Sequence, residues 1–178
     1  YKNKIYERAV LQDVSVSVYS DNLARSLSYY DSKTTLLRSS IVTQQITRLI
    51  SDSQKTVCLC QIGFSAKDKK TGFSESAAVE KMLFSAARRL KTFEAHNVII
   101  GHKTSHQFWV LIEGNNKDFC VSVINKIYDE MTDESEPYSI RPICGYCCYD
   151  KSTETIDMLI EYTDFAADSA GLNNINSP

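Results

Sequence analysis

The chain is short of the residues that break regular structure: six glycines and three prolines in 178 residues, with a single tryptophan. A collagen-like, low-complexity or linker-dominated chain is therefore excluded. No apolar run approaches the roughly 20 residues of a membrane span. Neither sign of charge dominates, since the formal net charge is −2 at pH 7, and so no broad basic footprint for nucleic acid is present. No leader is expected within it, because the chain opens on the polar Tyr1-Lys2-Asn3-Lys4. It has no initiator methionine and closes on Asn176-Ser177-Pro178. The expectation is a segment cut from a longer protein, whose own membrane parts would lie outside it.

What is present fits a globular domain. The hydrophobic fraction is 43% and the charged fraction 24%, both ordinary for such a chain. The length suffices for one domain with a real core plus an arm. Six cysteines, Cys58, Cys60, Cys120, Cys144, Cys147 and Cys148, sit inside apolar runs and not in loops. A disulfide scaffold would be smaller and loop-rich. The spacing Cys144-x-x-Cys147-Cys148 lacks a second Cys/His pair at ligand distance, so a zinc site is not supported. Reduced, buried, cytosolic thiols are the expectation.

Periodicity places the elements. Residues 1–28 read as a linker or dimerisation arm, and 29–176 as the domain. Within the arm, Val14, Val16 and Val18 alternate like a strand, while Leu11, Val14, Val18 and Leu23 fit one side of a helix. Asp31-Ser32 is read as a helix start, followed by Leu36, Leu37, Ile41, Ile46, Leu49 and Ile50 on one face and ended by Ser51-Asp52-Ser53. Residues 56–62 are dense in strand formers and apolar throughout, as expected of a central strand covered on both faces. A loop over 63–72 carries Lys67, Lys69 and Lys70, read as solvated or as a phosphate contact.

The spacing of Val79, Met82, Leu83, Ala86 and Leu90 predicts a helix over 74–93. Two β-branched runs around a polar tip, Lys103-Thr104-Ser105-His106, predict a hairpin over 98–113. A helix over 118–131 places Phe119, Val123, Ile124, Ile127 and Met131 inward, and an acidic loop over 129–136 follows. Pro142 marks the strand at 138–149 as an edge or a bulge. The last helix covers 155–170, with Gly171 expected to end it. This order builds an α/β domain of ferredoxin-like or palm-like type, a central, mostly antiparallel sheet flanked by helices.

Candidate chemistry gathers at the hairpin tip. His102 and His106 invite an acid–base or metal reading, but no third ligand or nucleophile accompanies them, and ordinary polar tip residues are the alternative. Trp109 reads as core ahead of a base-stacking platform. Tyr29-Tyr30 would fix the arm to the domain.

Four segments carry a family resemblance. Asp31-Ser32-Lys33-Thr34-Thr35-Leu36-Leu37-Arg38 looks like the opening motif Asp-x-Leu-Thr-Gly-Leu-x-Asn-Arg. Cys60-Gln61-Ile62-Gly63-Phe64-Ser65, continued to Gly72-Phe73, looks like Asp-x-Asp-x-Phe-Lys continued to Gly-His. Thr104-Ser105-His106-Gln107-Phe108 stands where Gly-Gly-Asp/Glu-Glu-Phe would. Thr163-Asp164-x-Ala166 resembles Ala-Asp-x-Ala. In this order and spacing they make about residues 30–176 resemble the GGDEF domain of bacterial diguanylate cyclases. The resemblance implies a palm-like GGDEF fold and cyclic-di-GMP biology.

It also implies a degenerate site. Such cyclases join two GTP molecules with divalent metal that neutralises triphosphate charge and activates the attacking hydroxyl. The metal carboxylate that ends their first strand falls at Cys60, a lost metal position, and the acidic pair of the signature falls at His106 and Gln107. Thiol, imidazole and amide are poor substitutes for carboxylates around Mg²⁺. Thr104 and Ser105 add side chains where glycines let backbone approach phosphate. The guanine-binding Asn and Asp fall at Asp68 and Ala77, the phosphate Lys near Gly171, and the inhibitory Arg-x-x-Asp at Ala95-His96-Asn97-Val98. Asp68 still offers an acceptor, so Phe64 and Asp68 are what a remnant nucleotide site would use.

The implied function is a catalytically inactive GGDEF domain, with no catalytic residue, metal or cofactor of its own. It would serve as a regulatory, protein-interaction or dimerisation module in a bacterial signalling protein. The implied partners are a protein or an adjacent EAL domain, and a second copy. The implied place is a cytoplasmic domain, joined to the inner membrane only through the rest of the parent. The end of the chain and Cys144-Gly145 also resemble the degenerate GGDEF part of CsrD-type regulators, which control decay of small RNAs. An allosteric GTP or nucleotide sensor, based on Lys67 to Lys70, is the rival from another class. Residual cyclase activity is opposed by Cys60 and His106, and direct RNA binding by the acidic balance.

Overall fold

The apolar run at 56–62 forms one end of a long strand against which the other elements are laid. The computed structural model describes residues 28–52, 54–68, 76–104, 106–132, 138–149 and 155–175. The expected arm lies outside them, except for its last residue. In chain order the elements are β1 (Leu37–Arg38), α1 (Ser39–Asp52), β2 (Thr56–Asp68), α2 (Ser76–Lys91), β3 (Val98–Thr104), β4 (Gln107–Gly114), α3 (Lys117–Met131), β5 (Tyr138–Cys148) and α4 (Ile156–Ile175).

The strands form one five-stranded sheet in the order β1-β3-β4-β2-β5. β1 runs parallel to β3, and the β3–β4, β4–β2 and β2–β5 pairs are antiparallel. The expected mostly antiparallel sheet flanked by helices is therefore present. Pro142 lies on the edge strand β5, opposite Phe64, a place where a missing N–H is tolerated.

Side chains alternate across β2, and both faces are covered. Cys58, Cys60, Ile62 and Phe64 join Ile100, Phe108, Val110 and Ile112 beneath α2 and α3. Val57 and Leu59 join Trp109 and Leu111 on the other face, beneath α1 and α4. Trp109 is core, as its place in the strand suggested. Full burial of a side chain such as Phe108 is worth about 1.5–3 kcal/mol, so these two layers hold the sheet.

Several local expectations are corrected. Asp31-Ser32 opens a turn, and α1 begins only at Ser39. The Asp31 carboxylate accepts the Lys33 and Thr34 N–H groups at 3.1 and 2.8 Å and the Thr34 hydroxyl at 2.9 Å. Thr35 then takes φ 57°, which turns the chain so that Leu37 and Arg38 run beside β3. The strand of 56–62 continues to Asp68 because 64–68 pair with Tyr138 to Pro142. The loop read at 63–72 is strand over its first half.

Helix α3 is capped by the side chain of Asn116, which accepts the Phe119 N–H at 2.8 Å. Phe119, read as inward, is 41% exposed, and Cys120 is buried in its stead. Gly171 does not end α4; it stays helical and the helix continues to Ile175. Cys58 and Cys148 are disulfide-bonded across β2 and β5, so the cysteines are not all reduced. No described helix is long and apolar enough to cross a membrane.

Thr35 falls on the glycine of the motif that 31–38 resembles and adopts a backbone that L side chains rarely take. Thr35→Gly is expected to raise stability by about 0.5–1 kcal/mol, the relief of left-handed strain exceeding the added chain entropy. A urea titration should show a higher midpoint at unchanged slope; an equal or lower midpoint would refute the strain.

Candidate functional site

The hairpin tip is held from both faces of the sheet. β3 ends at Thr104 and β4 starts at Gln107, and these two residues pair, with the Thr104 hydroxyl donating to Gln107 Oε1 at 2.7 Å. The His106 carbonyl accepts the Phe64 N–H at 3.2 Å, which ties the tip to β2. Of the signature positions, Thr104 and His106 are exposed, Gln107 is partly buried and Phe108 is fully buried. Ser105 lies outside the described residues.

On the α2/α3 side, Phe64 meets Phe108 edge-on with ring centroids 5.7 Å apart, and His102 lies 5.6 Å from the Phe108 ring. An edge-on aromatic pair adds about 0.5–1.5 kcal/mol beyond area burial. His102 Nδ1 reaches Asp31 Oδ1 at 3.4 Å. The two tip histidines are thus used separately: His102 joins the Asp31 turn to the hairpin, and His106 contributes its backbone. Burial would raise the Asp31 carboxyl, but the Thr34 backbone and hydroxyl bonds and the neighbouring His102 outweigh it and hold the group below its ordinary value.

On the α1/α4 side lies a polar cluster that motif reading did not find. A β-bulge between His102 and Thr104 leaves Lys103 as the extra residue, and bulges re-aim side chains in this way. Lys103 Nζ donates to Gln61 Oε1 and to Asp164 Oδ1, both at 2.6 Å, and stands 5.2 Å from the centre of the Trp109 ring. Gln61 is 2% exposed. Lys103 was read as part of the polar tip, yet its side chain is only 16% exposed and points to α4. The available signal was Gln61, a lone polar residue in an apolar strand.

Cys60 does not end its strand. It lies inside β2, opposite Val110 on one side and Tyr146 on the other, and is wholly buried. A hydrogen bond with Cys144, then burial, push its thiol well above the ordinary range, so it stays protonated. Burial likewise raises Cys120. Asp68 closes β2 opposite Tyr138, five residues beyond the Gly63–Gln107 pair that sits at the tip. Phe64 is committed to the core. Structure thus joins Thr104, His106, Gln107, Phe108 and Phe64 at one end of the sheet, but sets Cys60 and Asp68 apart from them in the register. Among the described residues no three His, Cys, Asp or Glu side chains come together as a metal site. A buried protonated thiol, an exposed imidazole and an amide do not fit a hard divalent ion.

A groove of about 740 Å³ opens between the Asp31 turn, the end of α2 and the start of β3, lined by Tyr30, Asp31, Thr35, Lys91, Glu94 and Val98 among others. Its acidic pair outnumbers Lys91, which disfavours a polyphosphate there.

No protein-family model matches the chain, and no curated protein matches it in sequence. Solved structures do. The FimX GGDEF domain from Pseudomonas aeruginosa gives a TM-score of 0.68 at 12% identity, over 83% of this chain and 96% of that one. The coiled coil and GGDEF domain of DgcB from Caulobacter crescentus, in complex with c-di-GMP, gives 0.75 at 14% identity over 95% of each chain. Diguanylate cyclase SiaD from Pseudomonas aeruginosa, in complex with its activator SiaC, gives 0.68 at 16% identity over 96% of this chain and 69% of that one. Likeness at such identities establishes the fold: this chain has the palm-like α/β fold of GGDEF domains.

Two outcomes follow from the supports of the tip. A carboxyl whose value is lowered on folding stabilises above its unfolded value and loses that contribution as pH falls through the folded one. Asp31→Asn should therefore cost about 1 kcal/mol at pH 7, and the gap to wild type should close as pH drops below 3.8; a gap constant down to pH values below that would refute the charge-based role. Asp164→Ala should cost about 1–3 kcal/mol, because Lys103 is left largely buried with only an amide. Adding Lys103→Met should recover part of that loss in a double-mutant cycle, and strictly additive losses would show that the pair is not coupled.

Proposed function

We propose that the chain is a GGDEF-fold domain that has lost cyclase chemistry and acts as a regulatory or protein-interaction module in a cyclic-di-GMP-type signalling protein. The observation that carries this reading is Cys60. At the position where the resemblance puts a metal carboxylate stands a fully buried thiol, whose neighbour Cys144 and burial hold it protonated. Joining two GTP molecules requires divalent metal at the reacting phosphates. Neither Cys60 nor the tip residues His106 and Gln107 supplies a hard anionic ligand.

The preserved features support a binding role. The tip is tied to the sheet by Phe64, Phe108 and the Lys103 cluster although the acidic pair of the signature is absent. The neighbour SiaD is in complex with an activator protein, and the DgcB structure includes a coiled coil. By analogy, the partners of this domain are a second copy through the segment before residue 29 and an adjacent domain, with a phosphodiesterase-type EAL domain as the candidate. A CsrD-like role in small-RNA decay is the narrower form of the same reading, since it too requires no nucleotide product.

Calorimetry with GTP and Mg²⁺, together with an assay for cyclic-di-GMP on the same sample, tests this. The expected outcome is no product and no binding heat. Heat without product would replace the interaction module by a nucleotide-sensing domain. Product formation would overturn the proposal, since it would mean that Cys60 and His106 do not disable the site.

A further inference from the structure

Four of the six cysteines share one face of one strand pair. Residues that oppose one another across an antiparallel pair lie on the same face. The register Cys58↔Cys148, Cys60↔Tyr146 and Ile62↔Cys144 therefore sets Cys58, Cys60, Cys144 and Cys148 together on the α2/α3 side. Cys147 belongs to the other face and Cys120 to α3. The Tyr149 N–H donates to the Val57 carbonyl at 2.8 Å, which makes 58/148 a non-hydrogen-bonded pair, the arrangement that brings facing side chains closest. Cys58 and Cys148 are disulfide-bonded there, with Cα atoms 4.0 Å apart. Cys60 lies one pleat along, diagonal to both Cys144 and Cys148.

Access differs between the two strands. Cys58 and Cys60 are fully buried in β2, whereas Cys144 and Cys148 are partly exposed on the edge strand β5. Cys148 is thus the more accessible end of the bond, and the end a dissolved thiol would meet first. Cys60, kept protonated by Cys144 and burial, does not begin the exchange itself, because the thiolate is the attacking species.

We propose that the β2–β5 seam is a thiol-redox modification site, opened at Cys58–Cys148 by a small dithiol and closed again by a disulfide oxidant. In the opening step a thiolate of the dithiol attacks Cys148 Sγ. The protein S–S bond breaks, its electron pair leaves with Cys58 Sγ, and Cys58 takes up a proton. A mixed disulfide remains at Cys148. The second thiol of the reductant, as thiolate, attacks its partner sulfur, and Cys148 leaves and is protonated. The protein disulfide has gained two electrons and two protons, and the dithiol has lost both to become a cyclic disulfide.

The seam leads to the hairpin tip. α4 lies so close to β5 that a Cβ on Gly145 would collide with the Ala167 backbone. Asp164 of the same helix holds Lys103. Opening the bond removes the covalent tie between β5 and β2 and leaves only their backbone pairing, so β5 and the α4 packed on it loosen. This site does not depend on whether the domain makes or binds a nucleotide.

The test equilibrates the purified protein in buffers of reduced and oxidised dithiothreitol from strongly oxidising to strongly reducing, quenches in acid, and maps alkylated peptides. Cys58 and Cys148 are expected to become labelled together in one transition inside that range, and Cys148→Ser should leave Cys58 labelled throughout. Hydrogen exchange should run at least several-fold faster in β5 and α4 of the reduced protein and rise at Lys103 and Thr104, with the rest of β3 unchanged. Cys58→Ser/Cys148→Ser should exchange like reduced wild type in either buffer. Labelling of Cys58 in the most oxidising buffer, a bond still closed in the most reducing one, or a Cys60–Cys144 bridge in its place would each overturn the proposal.

Discussion

Up to Gly63, strand β2 gives up both of its faces and both of its edges to neighbours. β4 and β5 pair along its two sides, while α2 and α3 cover one face and α1 and α4 the other. A strand in that position has no exposed backbone to satisfy with water, so its register must be correct everywhere at once. That constraint explains its composition over 57–62, which is apolar except for Gln61. It also explains why Gln61 must be answered by Lys103: an amide buried without a partner would cost more than the pair gains.

Features set by local pattern were legible in the sequence. The stripe of Met82, Leu83, Ala86 and Leu90 gave α2 its place, and the flanks of the tip gave the hairpin. Pro142 marked the edge. Features settled by contacts far along the chain were not. Asp31 has the composition of a helix cap and makes cap-like bonds to Lys33 and Thr34, but its contact with His102 and the pairing of Leu37 with Gly101 accompany a turn and a strand before the helix. Gly171 has the composition of a stop, yet α4 runs through it. The 64–68 stretch reads as a polar loop until β5 is present to pair with it.

The candidate site divides along the same line. Departures from a motif can be read in the sequence residue by residue along 104–108. The support of the tip cannot, since Gln61, Lys103 and Asp164 belong to three separate elements and share no local pattern. The disulfide between Cys58 and Cys148 was hidden for the same reason, since the partners lie 90 residues apart and only the strand register brings them together. Burial and hydrogen bonding also decide the chemistry of Cys60, which sequence gives only as a thiol.

The tip is positioned almost entirely by atoms that do not belong to its exposed side chains. His106 contributes a carbonyl, while Phe64, Phe108 and Lys103 bear the load from within the sheet. Such a loop can drift in identity without losing its address. Substitutions confined to the exposed tip side chains leave the supports of the tip in place.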